Sequence, residues 1–136
     1  MRATCLCALV VVALAAIGGC DSDSNSGSVL AQGTATAPNG SGAVLATLNI
    51  NQPGTLRGTI TWSGDPTELA VAFKHVTPGN VIGMSIGSSP MTSTVAVTSA
   101  RVAAGTQWEF LAANGSATTV SVQFEVTFEP DCATCP

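Results

Sequence analysis

The clearest pattern in the chain lies near its C-terminal end, where Val120, Val122, Phe124, Val126 and Phe128 occupy one parity and Ser121, Gln123, Glu125, Thr127 and Glu129 the other. A period of two over this length predicts a strand with one face in a core and one in water. Trp108 and Phe110 likewise share a face across Gln107 and Glu109, and Asn114-Gly115 lies between the two runs. Both residues of that pair tolerate positive φ, so a tight hairpin is expected to join the two strands. Leu56, Ile60 and Trp62 alternate with Arg57, Thr59 and Thr61 behind the turn pair Pro53-Gly54, and Val44, Ala46, Leu48 and Ile50 are expected to supply the partner strand. Further strands are expected over 69–76, 81–86 and 92–99, with another over 29–36. Gly64-Asp65-Pro66, Thr77-Pro78-Gly79-Asn80, Gly87-Ser88-Ser89-Pro90 and Ala103-Ala104-Gly105 mark the breaks. About eight short strands at this spacing predict an all-β fold, a two-sheet antiparallel sandwich of jelly-roll type over residues 29–130. No helix is expected after the N-terminal segment, and no repeat of fixed period suggests a solenoid.

That N-terminal segment follows a different pattern. An apolar run over 6–17 is preceded by Arg2 and followed by Asp21-Ser22-Asp23-Ser24-Asn25-Ser26-Gly27-Ser28. The run is shorter than the roughly 20 apolar residues a spanning helix needs, and its flanks are those of a signal peptide with a short apolar helix. Ile17-Gly18-Gly19-Cys20 at its end resembles the lipobox of bacterial lipoproteins. The resemblance implies that residues 1–19 are a signal peptide removed on export, and that the Cys20 thiol receives a diacylglycerol. It also implies that the new N-terminus commonly gains a further acyl chain such as palmitate. Two or three chains, at roughly 0.8 kcal/mol per buried methylene, anchor a protein permanently where one would not. The implied location is the bacterial cell envelope, with the domain facing the periplasm or the exterior. In some Gram-negative lineages an aspartate placed like Asp21 retains a lipoprotein in the inner membrane; other lineages ignore it, so the choice of membrane stays open. Residues 20–28 then form a flexible tether too polar and too rich in small residues to fold.

Composition narrows the function classes. The formal net charge is −4, with one histidine, no tyrosine and 9% charged residues. Without a basic stripe or a run of Lys and Arg, nucleic acid is not an expected partner. The outward parities are rich in Thr, Ser and Gln, which suits modest polar contacts or pairing at a sheet edge with an envelope protein.

Gly54-Thr55-Leu56-Arg57-Gly58-Thr59-Ile60-Thr61-Trp62-Ser63-Gly64-Asp65-Pro66, followed by Glu68-Leu69-Ala70-Val71, resembles the bacterial pre-peptidase C-terminal domain. That family is a small jelly-roll sandwich appended to secreted enzymes and surface proteins. Gly105-Thr106-Gln107-Trp108-Glu109-Phe110, with Asn114-Gly115 and the long final strand, resembles its closing hairpin, and the likeness covers roughly 43–128. The family often carries two aspartates able to bind calcium where this chain has Glu68 and Ala70. Asp65 and Glu68 together fall well short of the six to eight oxygen ligands calcium takes, so no metal is assigned.

Catalytic constellations are nearly absent. A Ser-His-Asp or Cys-His arrangement would have to use His75, which by parity lies with Leu69, Val71 and Phe73 at a strand end, and no serine sits in a Gly-x-Ser-x-Gly elbow. Glu109, Glu125 and Glu129 lie on outward faces rather than as a facing pair. Asp131-Cys132-Ala133-Thr134-Cys135-Pro136 is the sharpest local motif, open to reading as a redox pair, half a zinc site or a small disulfide. In an oxidising exported compartment, a disulfide between Cys132 and Cys135 is the expectation. Cys5 and Cys7 leave with the signal peptide. Trp62 and Trp108 could form a sugar-stacking platform, but their parity places them with apolar neighbours and favours the core. No cofactor is expected. The sequence reads as a lipid-anchored, non-catalytic binding or assembly module, with a carbohydrate or cell-wall binding module as the contrasting possibility.

Overall fold

The computed structural model describes residues 27–64 and 68–131. The signal segment with Cys20, most of the tether, Asp65, and the pair Cys132 and Cys135 therefore lie outside the described residues. Within them the alternating runs form β1 (Ser28–Ala37), β2 (Ser41–Asn49), β3 (Gly54–Thr61), β4 (Leu69–His75), β5 (Asn80–Gly87), β6 (Met91–Val97), β7 (Gln107–Asn114) and β8 (Val120–Pro130). One helix, α1 (Ser99–Ala104), lies between β6 and β7. The strands make two antiparallel four-stranded sheets, sheet A in the order β1-β8-β3-β6 and sheet B in the order β2-β7-β4-β5. This is a β-sandwich with jelly-roll strand order.

Two expected pairings are overturned by that order. β7 and β8 belong to opposite sheets, so Asn114-Gly115 starts an arch across the sandwich rather than a hairpin. β2 and β3 are separated in the same way: β2 pairs with β7, while β3 pairs with β6 and β8. Parity tells which side chains face the core, and says nothing about which sheet a strand joins. Neither Asn114 nor Gly115 has positive φ; among the described residues, positive φ occurs at Gly40, Gly64, Gly79 and Gly83. β4 and β5 are the consecutive strands that do pair with each other. Their turn needs Gly79, whose φ of 98° is closed to most side chains and whose N–H donates to the His75 carbonyl at 2.8 Å.

The arch after β7 is held by one buried amide. Asn114 Nδ2 donates to the carbonyls of Ala37 at 3.1 Å and Thr118 at 2.7 Å. Its Oδ1 accepts from the Ser116 N–H at 3.0 Å and the Ser116 hydroxyl at 2.7 Å. Asn114 thus locks the arch to the end of β1 with every polar group matched. The Gly40 N–H, donating to Ser116 O at 3.0 Å, ties the β1–β2 turn to the same point.

Contrary to expectation, the chain after β6 is helical. The Thr98 side chain accepts from the Arg101 N–H as N-cap, and the Gly105 N–H closes the other end on Arg101 O. Arg101 also donates through its guanidinium to the Ala96 carbonyl. Ser99-Ala100-Arg101-Val102-Ala103-Ala104 has good helix formers and a cap, yet it is too short to show an apolar stripe, since Val102 alone packs against the core.

The core lies between the sheets. Gly54, Leu56, Gly58 and Ile60 of β3 and the Val120-to-Phe128 parity of β8 face Leu69, Val71 and Phe73 of β4 and Trp108, Phe110 and Ala112 of β7. Gly58 is required by close approach: a Cβ there would stand 2.4 Å from Phe110 Cε2. The Phe110 ring therefore lies directly against the β3 backbone, with Phe73 beside it at a centroid distance of 4.9 Å.

Candidate functional site

The two outer faces of the sandwich differ in chemistry. On sheet A, exposed Thr, Gln and Glu fill the parity opposite the core, as expected. Pairing aligns them in rungs: Thr59 on β3 lies opposite Glu125 on β8, which lies opposite Gln32 on β1, and Thr61, Gln123 and Thr34 form the next rung. Thr59 Oγ1 also shares a hydrogen bond of 3.0 Å with Thr92 Oγ1 on β6. Over these rungs lies an open hollow of about 680 Å³, with Gly33 and Phe124 completing its lining. A second hollow of about 400 Å³, walled by Trp62, Ser63 and Ser121, meets the first along Thr34, Thr61 and Gln123.

Sheet B departs from the expected polar exterior. Its outward rungs read Val44, Leu111, Ala72 and then Ala113, Ala70, Ile86, all apolar. Met84 is 63% exposed, Ile86 67%, Val81 50% and Val44 43%. The charges paired on this face are Lys74 and Glu109, opposite each other on β4 and β7, with Nζ 3.8 Å from Oε2. Val44 was expected inside. A bulge between Val44 and Ala46 shifts the register, so Leu45 turns inward and Val44 outward. β1 is bulged between Val29 and Ala31, and the β4–β5 pairing shifts between Val71 and Phe73. Three of the four edge strands, β1, β2 and β5, are thus irregular, which obstructs edge-to-edge pairing.

His75, the chain's single histidine, is 2% exposed. Its ring stacks on Trp108 at a centroid distance of 4.4 Å and an angle of 9°. Nε2 lies 2.6 Å from the Gly105 carbonyl, which accepts its proton. The buried imidazole therefore fastens the end of α1 to the end of β4. Trp108 is wholly buried, and its Nε1 has no hydrogen-bond partner. Trp62 is half-buried against the core rim, with its backbone N–H donating to Ser89 Oγ at 3.0 Å. Glu125 and Glu129 are exposed on sheet A, and Glu109 is half-buried in its ion pair on sheet B. Glu68 is exposed. Among the described residues, no three His, Cys, Asp or Glu side chains come together as a metal site, and no helix is long and apolar enough to cross a membrane.

Sequence reasoning missed the sheet B face because Val44 was placed inward with Ala46, Leu48 and Ile50, and the strand over 81–86 was given no facing. A signal was present: Leu69-Ala70-Val71-Ala72-Phe73 and Phe110-Leu111-Ala112-Ala113 are continuous apolar runs rather than alternating ones. Such runs mark strands apolar on both faces.

No protein-family model matches the chain, and no curated protein matches it. Among solved structures it is similar to the crystal structure of the Yersinia pseudotuberculosis-derived mitogen, with a TM-score of 0.52 and 15% identity over 80% of this chain and 92% of that one. At this identity the likeness shows the fold alone.

Proposed function

We propose that this protein is an exported bacterial lipoprotein whose sandwich acts as a non-catalytic binding or assembly module for an envelope protein. The observation that carries the binding role is the outer face of sheet B, where Val44, Val81, Met84 and Ile86 stand exposed beside the half-buried Leu111 and small alanines. A contiguous apolar surface of this kind, rimmed by one ion pair, marks a protein interaction site. The occupant is a folded protein presenting an apolar patch, since the bulges in β2 and opposite β4 disfavour an added strand. The anchoring rests on Ile17-Gly18-Gly19-Cys20, with a lipid on Cys20 and the residues from there to the start of β1 at Ser28 as the tether. A disulfide between Cys132 and Cys135 would close the C-terminal tail in the same oxidising compartment.

The test is photo-cross-linking in cells making the full-length chain, with the cross-linker placed at Met84 and, as control, at Thr94 on sheet A. Recovery from the membrane fraction of a chain beginning at an acylated Cys20, cross-linked to a specific protein from position 84 and not from 94, is the expected result. A soluble chain without lipid would overturn the anchoring. Equal labelling from both positions would overturn the docking face.

A further inference from the structure

We infer that the outer face of sheet A is a binding trough for a neutral, extended β-1,4-linked glycan. This site is opposite the docking face of sheet B and stands independently of it. The two hollows over β1, β8 and β3 form one continuous depression that shares Thr34, Thr61 and Gln123. Along it the rungs Thr59, Glu125, Gln32 and Thr61, Gln123, Thr34 place polar side chains on three adjacent strands, which lie about 4.8 Å apart in any sheet. Threonine hydroxyls donate and accept, glutamine amides do both at separate atoms, and the Glu125 carboxylate accepts. A ligand that satisfies all of them must itself carry both donors and acceptors at close intervals. Sugar hydroxyls do so.

Three further observations choose among polar ligands. No Lys or Arg lines either hollow, and the chain is net negative, so an anionic polymer has no counter-charge here. β8 and β3 are interior strands whose backbone groups are engaged on both sides, so a peptide cannot bind this face as an added strand. Recognition has to come from side chains. At one end the half-buried Trp62 borders the depression, supplying a flat apolar surface next to hydroxyls and amides. A β-1,4-linked chain presents that combination: a straight ribbon with equatorial hydroxyls at its edges and apolar C–H faces. Specificity comes from the polar rungs and affinity from the ring.

The inference is tested by titrating the isotopically labelled full-length protein with cellohexaose, chitohexaose and maltohexaose and following amide and side-chain resonances. Cellohexaose or chitohexaose is expected to shift Gln32, Thr34, Thr59 and Gln123 together with the Trp62 indole. Gln123→Ala and Thr61→Val, both on the exposed face and outside the core, are each expected to weaken binding about tenfold while unfolding at an unchanged urea midpoint. A stronger response to chitohexaose assigns an N-acetylated wall glycan, and a stronger one to cellohexaose assigns an unsubstituted glucan. If neither β-1,4-linked hexaose moves these resonances, if maltohexaose moves them equally, or if shifts arise away from the trough, the inference is overturned.

Discussion

Sheets A and B share one core and meet their surroundings on opposite terms. Outside sheet A, β3, β6 and β8 keep strict alternation while β1 is bulged at Val29, and the exposed parity is mostly Thr, Ser, Gln, Glu and Arg57, with Val29 and Ala96 among them. Outside sheet B the same parity is Val, Leu, Ala, Ile and Met over two rungs, giving way to the Lys74–Glu109 pair with Thr47 and then to Asn49 and Gln107 at one end. A sheet wetted on one face has no physical reason to be apolar on both, and a continuous apolar strand is the habit of sheets covered twice. On the function proposed above, sheet A stays in water and offers hydrogen bonds, while sheet B is covered by a partner.

The harshest way to break the comparison is to remove the core both sheets stand on. Phe110→Ala deletes the ring that lies against Gly58 and beside Phe73, and is expected to cost about 3–5 kcal/mol, read from urea unfolding, with both faces lost together. Next in size is Asn114→Ala, which orphans the Ala37 carbonyl and dissolves the arch from sheet B to sheet A. A loss of about 1–3 kcal/mol is expected, with increased amide exchange at 115–119. A change under a few tenths of a kcal/mol there would mean that the arch holds without its amide.

Smaller effects sharpen the contrast. Lys74→Ala breaks a partly exposed ion pair and should lower stability by about 0–1 kcal/mol, an effect that shrinks further in high salt. Smallest on stability, within about 0.5 kcal/mol, are Met84→Asp on sheet B and Thr94→Asp on sheet A. With the cross-linker moved to Ile86, the first should abolish cross-linking to the envelope partner and the second should leave it intact. If the two behave alike, the faces do not differ in use.

Much of this was legible from residues in a row. The parity of 120–129 placed Val122, Val126 and Phe128 in the core, and the breaks at 77–80 and 87–90 fell at the two ends of β5, which takes in Asn80 and Gly87. Trp108 is buried as its parity requires. What escaped depends on partners distant in sequence. The bulge at Val44 is set by β7, and the sheet membership of β7 and β8 is set by Asn114 reaching back to Ala37. The trough on sheet A draws on three strands whose adjacency no local pattern encodes, and the helix α1 was too brief to show periodicity. The histidine was legible as inward, but its stacking on Trp108 and its bond to Gly105 required the fold.

The place of β8 has a consequence for how the molecule comes into being. β1 and β3 do not touch each other in sheet A; each pairs with β8, the last strand of the fold. A chain delivered from its N-terminal end thus has both flanks of that sheet waiting on residues 120–130 to zip them together. Pairing of this kind is non-local and slow, because loop closure precedes the contacts that reward it. Until that strand arrives, sheet B and the β3–β6 pair have their strands in hand, while β1 has no partner in sheet A and the sandwich stays open along one side.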